Sequence, residues 1–250
     1  MGAPSLSVII PVHNAGDRLG SAIASIHAQR YPGQIQIVVV DDGSTDDTPA
    51  VIATLGDTVT SVRQRNAGPS SARNTGFALA DGELLSFLDA DDQWPTDKLT
   101  LQVGALTEDP DLDVVLGRIS YVEGPGGQIP EMAYEDPETR SISNVHLGSG
   151  VYRRSSFDRV GGFDPSLRFS EDHDWFLRAR ELGLTIRILD HVTLLYLLHD
   201  KNMTRERPAT DMSITTVLKQ SLDRRRRLMG RADELPRWRA HDDRYRDELP

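Results

Sequence analysis

There is no cysteine anywhere in the 250 residues of this chain. Disulfides, thiolate zinc sites and a cysteine nucleophile are therefore excluded. A basic surplus is missing too: 28 Lys and Arg stand against 38 Asp and Glu, a formal net charge of −10. A surface of that sign does not neutralise a phosphate backbone, so no nucleic-acid partner is expected. No apolar run approaches the length that crosses a bilayer, so no integral membrane segment is expected. The opening MGAPSLSVIIPVHN has too short an apolar run, and no basic leader, for a secretion signal. A cytoplasmic location follows as the expectation. Three phosphate or metal signatures are also lacking: GxxxxGK with Ser or Thr, GxGxxG after the first strand, and HExxH. Any phosphates would have to be held by a metal and scattered basic groups.

What is present is organised around Leu84–Trp94, LLSFLDADDQW. A short apolar run bounded by Gly82 and Pro95 reads as a buried strand, and it runs straight into Asp89, Asp91 and Asp92. In an open parallel sheet, ligands bind at the carboxyl ends of the strands. Several hard oxygen donors there are within reach of one divalent cation, Mn²⁺ or Mg²⁺. The plainer alternative is a solvated turn whose Asp side chains cap the next helix.

Other segments repeat the arrangement. Leu6–Val12 reads as a first strand ending at His13 and Asn14, and Ile35–Val40 as a second ending at Asp41 and Asp42. A third is expected at Val59–Val62. Helices are expected over Leu19–Ala28 with Asp17 as cap, Asp46–Leu55 capped by Ser44 or Thr45, Ser70–Ala80 carrying Arg73, and Pro95–Leu106. This alternation predicts an α/β fold, a mostly parallel sheet with helices on both faces. If the strands are parallel, their polar tips share one edge, as a nucleotide site requires. Glu123–Ser143, rich in Gly, Pro and acid, reads as a long irregular segment. Later, Leu184–Leu198 is strand-like with an interruption at Asp190 and His191. From Pro208 a helix carries the stripe Ile214, Val217, Leu218 and Leu222, then Arg224–Arg227. It reads first as a packed helix with a solvated basic end, and second as a peripheral membrane or partner surface.

Glu171-Asp172-His173-Asp174-Trp175 opens a helix capped by Ser170. Helical spacing puts Asp172, Trp175, Phe176 and Ala179 on one face and Asp174 away from it. A carboxylate on an apolar stripe is a candidate general base, since desolvation raises its pKa, although the helix N-terminus favours the anion. His199, at the end of an apolar run, is either structural or a ligand.

Taken together, SVIIPVHN, VVVDDGSTDDT, NAGPSSARNTG, FLDADD, GGFD before SEDHDWFLRA, and YLLHDKNMT resemble, in order and spacing, the family 2 glycosyltransferases of GT-A fold. The resemblance runs from about Leu6 to Arg205. It implies an inverting transfer from a nucleotide-diphosphate sugar, usually a UDP-sugar, to the hydroxyl of a saccharide or other acceptor. By the same resemblance Pro11 and His13, with Asn14 beside them, flank the nucleobase, Asp42 bonds it and Asp41 supports it. Arg73 sits near the base and Asp42. The DxD motif falls on Asp89, for ribose or diphosphate, and Asp91, for metal, with Asp92 an alternative ligand and His199 close to metal and diphosphate. Asp172 corresponds to the base, with Glu171 and Trp175 on the acceptor side. Leu197 and Leu198 stand where relatives often carry a basic residue. The implied layout is a catalytic domain over 1–207, donor half 1–110 and acceptor half 111–207, with a helical tail over 208–250. A phosphatase using an Asp nucleophile in DxD is the competing enzyme class, and a nucleotide-sugar-binding module without turnover the non-enzyme one.

Overall fold

The computed structural model describes residues 2–127, 141–142, 145–167, 169–200, 202 and 214–229. The expected alternation is present. Strands β1 (Leu6–Val12), β2 (Ile35–Asp41), β3 (Thr60–Arg63) and β4 (Leu84–Phe87) are separated by helices α1 (Gly16–His27), α2 (Thr48–Leu55) and α3 (Pro69–Leu79). Helix α4 (Lys98–Glu108) leads to β5 (Val114–Glu123) and the two-residue β6 (Ser141–Ile142). Then come β7 (Val151–Arg153), α5 (Arg154–Val160), α6 (Glu171–Glu181), β8 (Ile186–Leu198) and α7 (Ile214–Met229). One sheet runs β3-β2-β1-β4-β7-β5-β6, with β8 beside β5. β1, β2, β3 and β4 are mutually parallel, whereas β7 is antiparallel to both β4 and β5.

Register explains why the acids meet. Val12 lies opposite Asp41, and Ile9 opposite Phe87. Continued past β4, that register brings the residues after Phe87 level with the end of β1, so His13, Asp42 and Asp89 leave the sheet along one edge. Both faces of β1 are buried: Val8, Ile10 and Val12 pack with Leu19, Ile23 and Ile26 of α1, while Ile9 packs against α3 and Phe87. Strands covered on both sides read as continuous apolar runs, and VVV in β2 has that character.

Beneath α6 lies an aromatic cluster. Trp175 stacks on Phe157 at 4.5 Å between ring centroids, with Phe87, Tyr152, Phe163 and Phe176 around them. The interruption at Asp190 and His191 is a bulge: Leu189 pairs with Gly117 and Val192 with Arg118.

Several local expectations are corrected. Helix α1 starts at Gly16 behind Ala15, so Asp17 lies in its first turn rather than capping it. Asp47, not Ser44 or Thr45, precedes α2, and Pro95 lies in a turn before α4. Ser170 precedes α6 with φ 61° and makes no side-chain cap, whereas a capping residue has extended rather than left-handed backbone angles. Most of Glu123–Ser143, and the tail on either side of α7, lie outside the described residues.

The α7 stripe is also different from the one expected. Val217, Ser221 and Arg225 are buried while Leu218 is exposed. Arg224 pairs with Asp174 (3.0 Å) and Glu181 (2.8 Å), and Ser221 donates to Glu181 (2.6 Å). Within the Arg224–Arg227 run, Arg224 is therefore committed to α6 and Arg225 is buried, while Arg226 and Arg227 are exposed. No helix among the described residues is long and apolar enough to cross a membrane.

Candidate active site

The edge of the sheet carries two linked groups of side chains. In the first, the turn after β2 and the loop before α3 close on Asp42. Its carboxylate accepts from the backbone amides of Ala67 (2.9 Å) and Gly68 (2.8 Å) and from Gln64 Nε2 (2.8 Å). Gly43, at φ 72°, allows this approach, since a Cβ there would lie 2.7 Å from the Asn66 amide nitrogen. The ring of His13, which is exposed, sits over the same turn with Nδ1 2.9 Å from the Asp42 carbonyl oxygen. Asn14, left-handed at φ 53°, accepts the Thr45 amide at 2.8 Å. Asp41 is buried and accepts the Ser44 amide at 2.8 Å, supporting the turn from below. Pro11 is half-buried at the end of β1.

The second group surrounds the acids after β4. Residues Asp92 and Gln93 are fastened to β8: Gln93 exchanges both backbone hydrogen bonds with Leu195, and Asp92 Oδ1 accepts the Leu197 amide at 3.0 Å. That attachment delivers His199, whose Nε2 lies 2.9 Å from Asp91 Oδ2. Burial, and then Asp89, push the Asp91 carboxyl up; burial with Asp91 and Asp89 pushes Asp92 well up. Asp92 is 1% exposed and turned into β8. Its Oδ2 is buried without a hydrogen-bond partner among the described residues, so one oxygen supports β8 and the other stays beside Asp91 as the alternative ligand of the expectation.

Arg73 joins this group to α6. Its guanidinium contacts Asp89 (2.7 Å) and Glu171, and it is 6% exposed. Burial acts against its charge, but the two acids hold it protonated. The expectation placed Arg73 beside Asp42; its ion pairs run to Asp89 and Glu171 instead. Glu171, expected on the acceptor side, is correspondingly buried against Arg73 and raised by that burial.

Asp172 emerges at the same helix start with its carboxylate 21% exposed. The loop before it is tied down: Asn74 makes paired 2.8 Å hydrogen bonds with the Phe163 backbone, and Arg178 donates to the Val160 and Gly162 carbonyls, both at 2.8 Å. Trp175, Phe176 and Ala179 share the expected buried face, and Asp174 points away from it, but it is buried too, against α7, clamped by Arg178 and Arg224. Trp175, expected to meet an acceptor, is fully buried with its Nε1 on the Gly161 carbonyl (3.0 Å). The pKa expectation is reversed as well. Burial pushes Asp172 up, but His173 bonded to it, with His146 nearby, pulls it down to about 2.

Two histidines belong here that sequence reasoning passed over. His173 Nδ1 lies 2.8 Å from Asp172 Oδ1. His146 accepts the Gly148 amide on Nδ1 at 3.1 Å, and its ring is lowered by burial while Asp89 and Asp172 act to raise it. His173 was legible as the neighbour of a candidate base; His146, alone in an extended stretch, left no signal.

For a divalent cation the donor set is a pair rather than a cage. Among the described residues no three His, Asp or Glu side chains converge as a metal site. Asp91 with His199 fits a cation that takes one or two protein ligands and completes its shell with substrate phosphate and water. Crowded acids that burial and mutual repulsion drive toward protonation fit it too.

The sheet and helices that carry this edge have the GT-A type of fold. Solved structures agree on the fold. The Staphylococcus aureus TarS fragment 1–349 in complex with UDP-GlcNAc superposes with TM-score 0.72 at 22% identity, covering 88% of this chain and 66% of that one. The mannosyltransferase PcManGT of Pyrobaculum calidifontis, in complex with GDP-Man and Mn²⁺, gives 0.63 at 24% identity, covering 90% and 64%. The model of glycosyl transferase family 2 matches residues 7–171, and the chain belongs to that family. An uncharacterized glycosyltransferase of Nostoc sp. is 34% identical over 176 residues, 64% of this chain and 54% of the relative. The chain spans less than two thirds of the length of the first curated relatives it matches.

Proposed function

We propose that the chain is an inverting glycosyltransferase that moves a sugar from a nucleotide-diphosphate sugar, a UDP-sugar first among them, to an acceptor hydroxyl. The observation that carries this is the placing along one sheet edge of the Asp42 turn, the Asp91–His199 pair and Asp172, with Arg73 bridging Asp89 and Glu171, which adjoin the last two. Family membership supports it, as do the nucleotide sugars bound by TarS and PcManGT. Membership also weighs against the phosphatase reading.

In this reading the His13, Asn14 and Asp42 turn receives the base, with Pro11 at its side, and Asp89 faces the ribose or diphosphate. Asp91 and His199 would hold the divalent cation, Mn²⁺ or Mg²⁺, which when bound offsets charge on the leaving diphosphate. Asp172 takes the proton of the acceptor hydroxyl as its oxygen attacks the anomeric carbon. The bond from that carbon to the diphosphate oxygen breaks on the opposite face. Holding both substrates in line supplies much of the acceleration.

The test is a panel of nucleotide sugars, UDP-GlcNAc and GDP-mannose included, with Mn²⁺ or Mg²⁺, scored as nucleoside diphosphate release with and without saccharide acceptors. Acceptor-dependent release that excess EDTA and Asp91→Asn both abolish is the expected result. Binding of nucleotide without any release would support the module without turnover.

A further inference from the structure

Asp172 is not a solitary carboxylate. Its Oδ1 accepts both the backbone amide of His173 (2.7 Å) and that residue's ring Nδ1–H (2.8 Å). The His173 side chain is 48% exposed against 21% for Asp172, so the ring reaches solvent more than the carboxylate it bonds. We propose that His173 is a positioning residue for transfer: it pins Oδ1 of Asp172, reserves Oδ2 for the acceptor hydroxyl, and through its own charge sets how strongly Asp172 draws the proton. The proposal deepens, and rests on, the assignment of Asp172 as the base.

The geometry accounts for both parts. Two donors on one oxygen fix the carboxylate plane, and a side chain at the start of a helix has few other means of orientation. A neutral imidazole with its proton on Nδ1 keeps that hydrogen bond, so losing the Nε2 proton removes charge without releasing Asp172. With His173 charged, the carboxylate is a weak base; with it neutral, the same carboxylate is stronger. In the transfer step the acceptor O–H proton passes to Asp172 Oδ2 and the oxygen lone pair forms the bond to the anomeric carbon. The carbon–oxygen bond to the diphosphate breaks, and its electron pair leaves with the nucleoside diphosphate.

The charged groups around His173 favour its protonation on balance. The hydrogen bond to Asp172 raises it most, burial opposes, and the charges of Asp172 and Glu171 add to the rise. From other elements, His146 before β7 senses both His173 and Asp172, as well as Asp89 at the tip of β4 and Arg73 on α3. Tyr152 on β7 lies in the field of Asp172 and Arg73. Turnover should therefore rise with pH through a midpoint above the ordinary histidine value of about 6.5.

Two measurements on the full chain test this. In an NMR titration of its imidazoles, with His173→Asn identifying the resonance, His173 should titrate above the ordinary value. In Asp172→Asn it should fall by half a unit or more. In a pH–rate series, wild-type kcat should rise at least threefold across that midpoint. His173→Asn, which keeps a donor in the Nδ1 position, should lose the rise while donor KM stays within twofold; His173→Ala should lose tenfold or more in kcat. An unshifted His173, or a His173→Asn variant that keeps the rise, would overturn the proposal. If no donor is turned over, or Asp172→Asn stays active, the base assignment fails instead, and the NMR titration still decides whether the pair is coupled.

Discussion

Replacing Arg73 by Met removes the one guanidinium that Asp89 and Glu171 share, while keeping most of the buried volume. The two acids then face each other across a space from which water is largely excluded, since Glu171 is 10% and Asp89 31% exposed at the side chain. Breaking a fully buried pair by removing one partner costs about 3–5 kcal/mol. The partial exposure of Asp89 screens its share, so the expected loss is about 2–4 kcal/mol at pH 7. For a chain of this size each kcal/mol moves Tm by about 2–4 °C, which makes the drop roughly 4–16 °C. The pH dependence separates this cause from simple loss of packing. Burial already raises Glu171, and without Arg73 it rises further. A carboxyl raised in the folded state binds protons more tightly there than in the unfolded chain, so its penalty is present at high pH and fades as pH falls through the folded value. The gap between wild type and Arg73→Met should therefore narrow from pH 7 towards pH 5. Thermal melts at both pH values, with Arg73→Lys as a charge-keeping control of intermediate loss, measure it. A gap under 0.5 kcal/mol at pH 7 would refute the reasoning, as would an equal gap at pH 5.

Other outcomes follow from individual contacts. Asp92→Asn keeps the acceptor used by the Leu197 amide and replaces a carboxyl that burial pushes well up. It should cost less than about 1 kcal/mol and leave Mn²⁺-dependent UDP binding within threefold by isothermal titration, whereas Asp91→Asn abolishes the metal dependence. Asp42→Ala removes the acceptor of three hydrogen bonds; UDP binding should weaken by about 1–3 kcal/mol, and hydrogen exchange at the Ala67 and Gly68 amides should speed up. Trp175→Ala opens a cavity in the aromatic cluster and should cost about 3–5 kcal/mol in urea denaturation. Because its indole is out of reach of any acceptor, the folded fraction should keep its acceptor KM.

The strands and their order of use were legible because burial on both faces leaves an unbroken apolar record. β1 was read with its observed bounds, and β2 ends one residue beyond the reading, at Asp41. Helix starts were misread at Asp17 and Pro95, and a side-chain cap was misread at Ser170 although α6 does start at Glu171. A cap is a local geometry that the neighbouring fold overrules: the turn at Asn14 and the left-handed Ser170 both answer to tertiary contacts that no window of sequence contains. Nor does the antiparallel insertion of β7 between β4 and β5 follow from an alternating pattern, since both directions suit a short buried VYR.

The site was legible as a set of residues but not as a wiring diagram. Spacing put Asp174 away from the apolar face of α6, which Trp175, Phe176 and Ala179 do form, yet Asp174 is buried as well. The difference comes from α7, which brings Arg224 from 50 residues away to neutralise Asp174, so burial there costs little. The direction expected for the Asp172 carboxyl was reversed for a related reason. Helical periodicity reports where a side chain is packed, whereas a pKa reports which charges it meets, and His146 and His173 meet Asp172 only after folding. Arg73 shows the point most sharply. One buried cation, placed by α3 between an acid from β4 and an acid from α6, ties the donor-side edge to the helix that carries the proposed base. Any shift of either element must move against that ion pair, so the alignment that an in-line transfer requires is held by a residue that need not touch the reacting atoms.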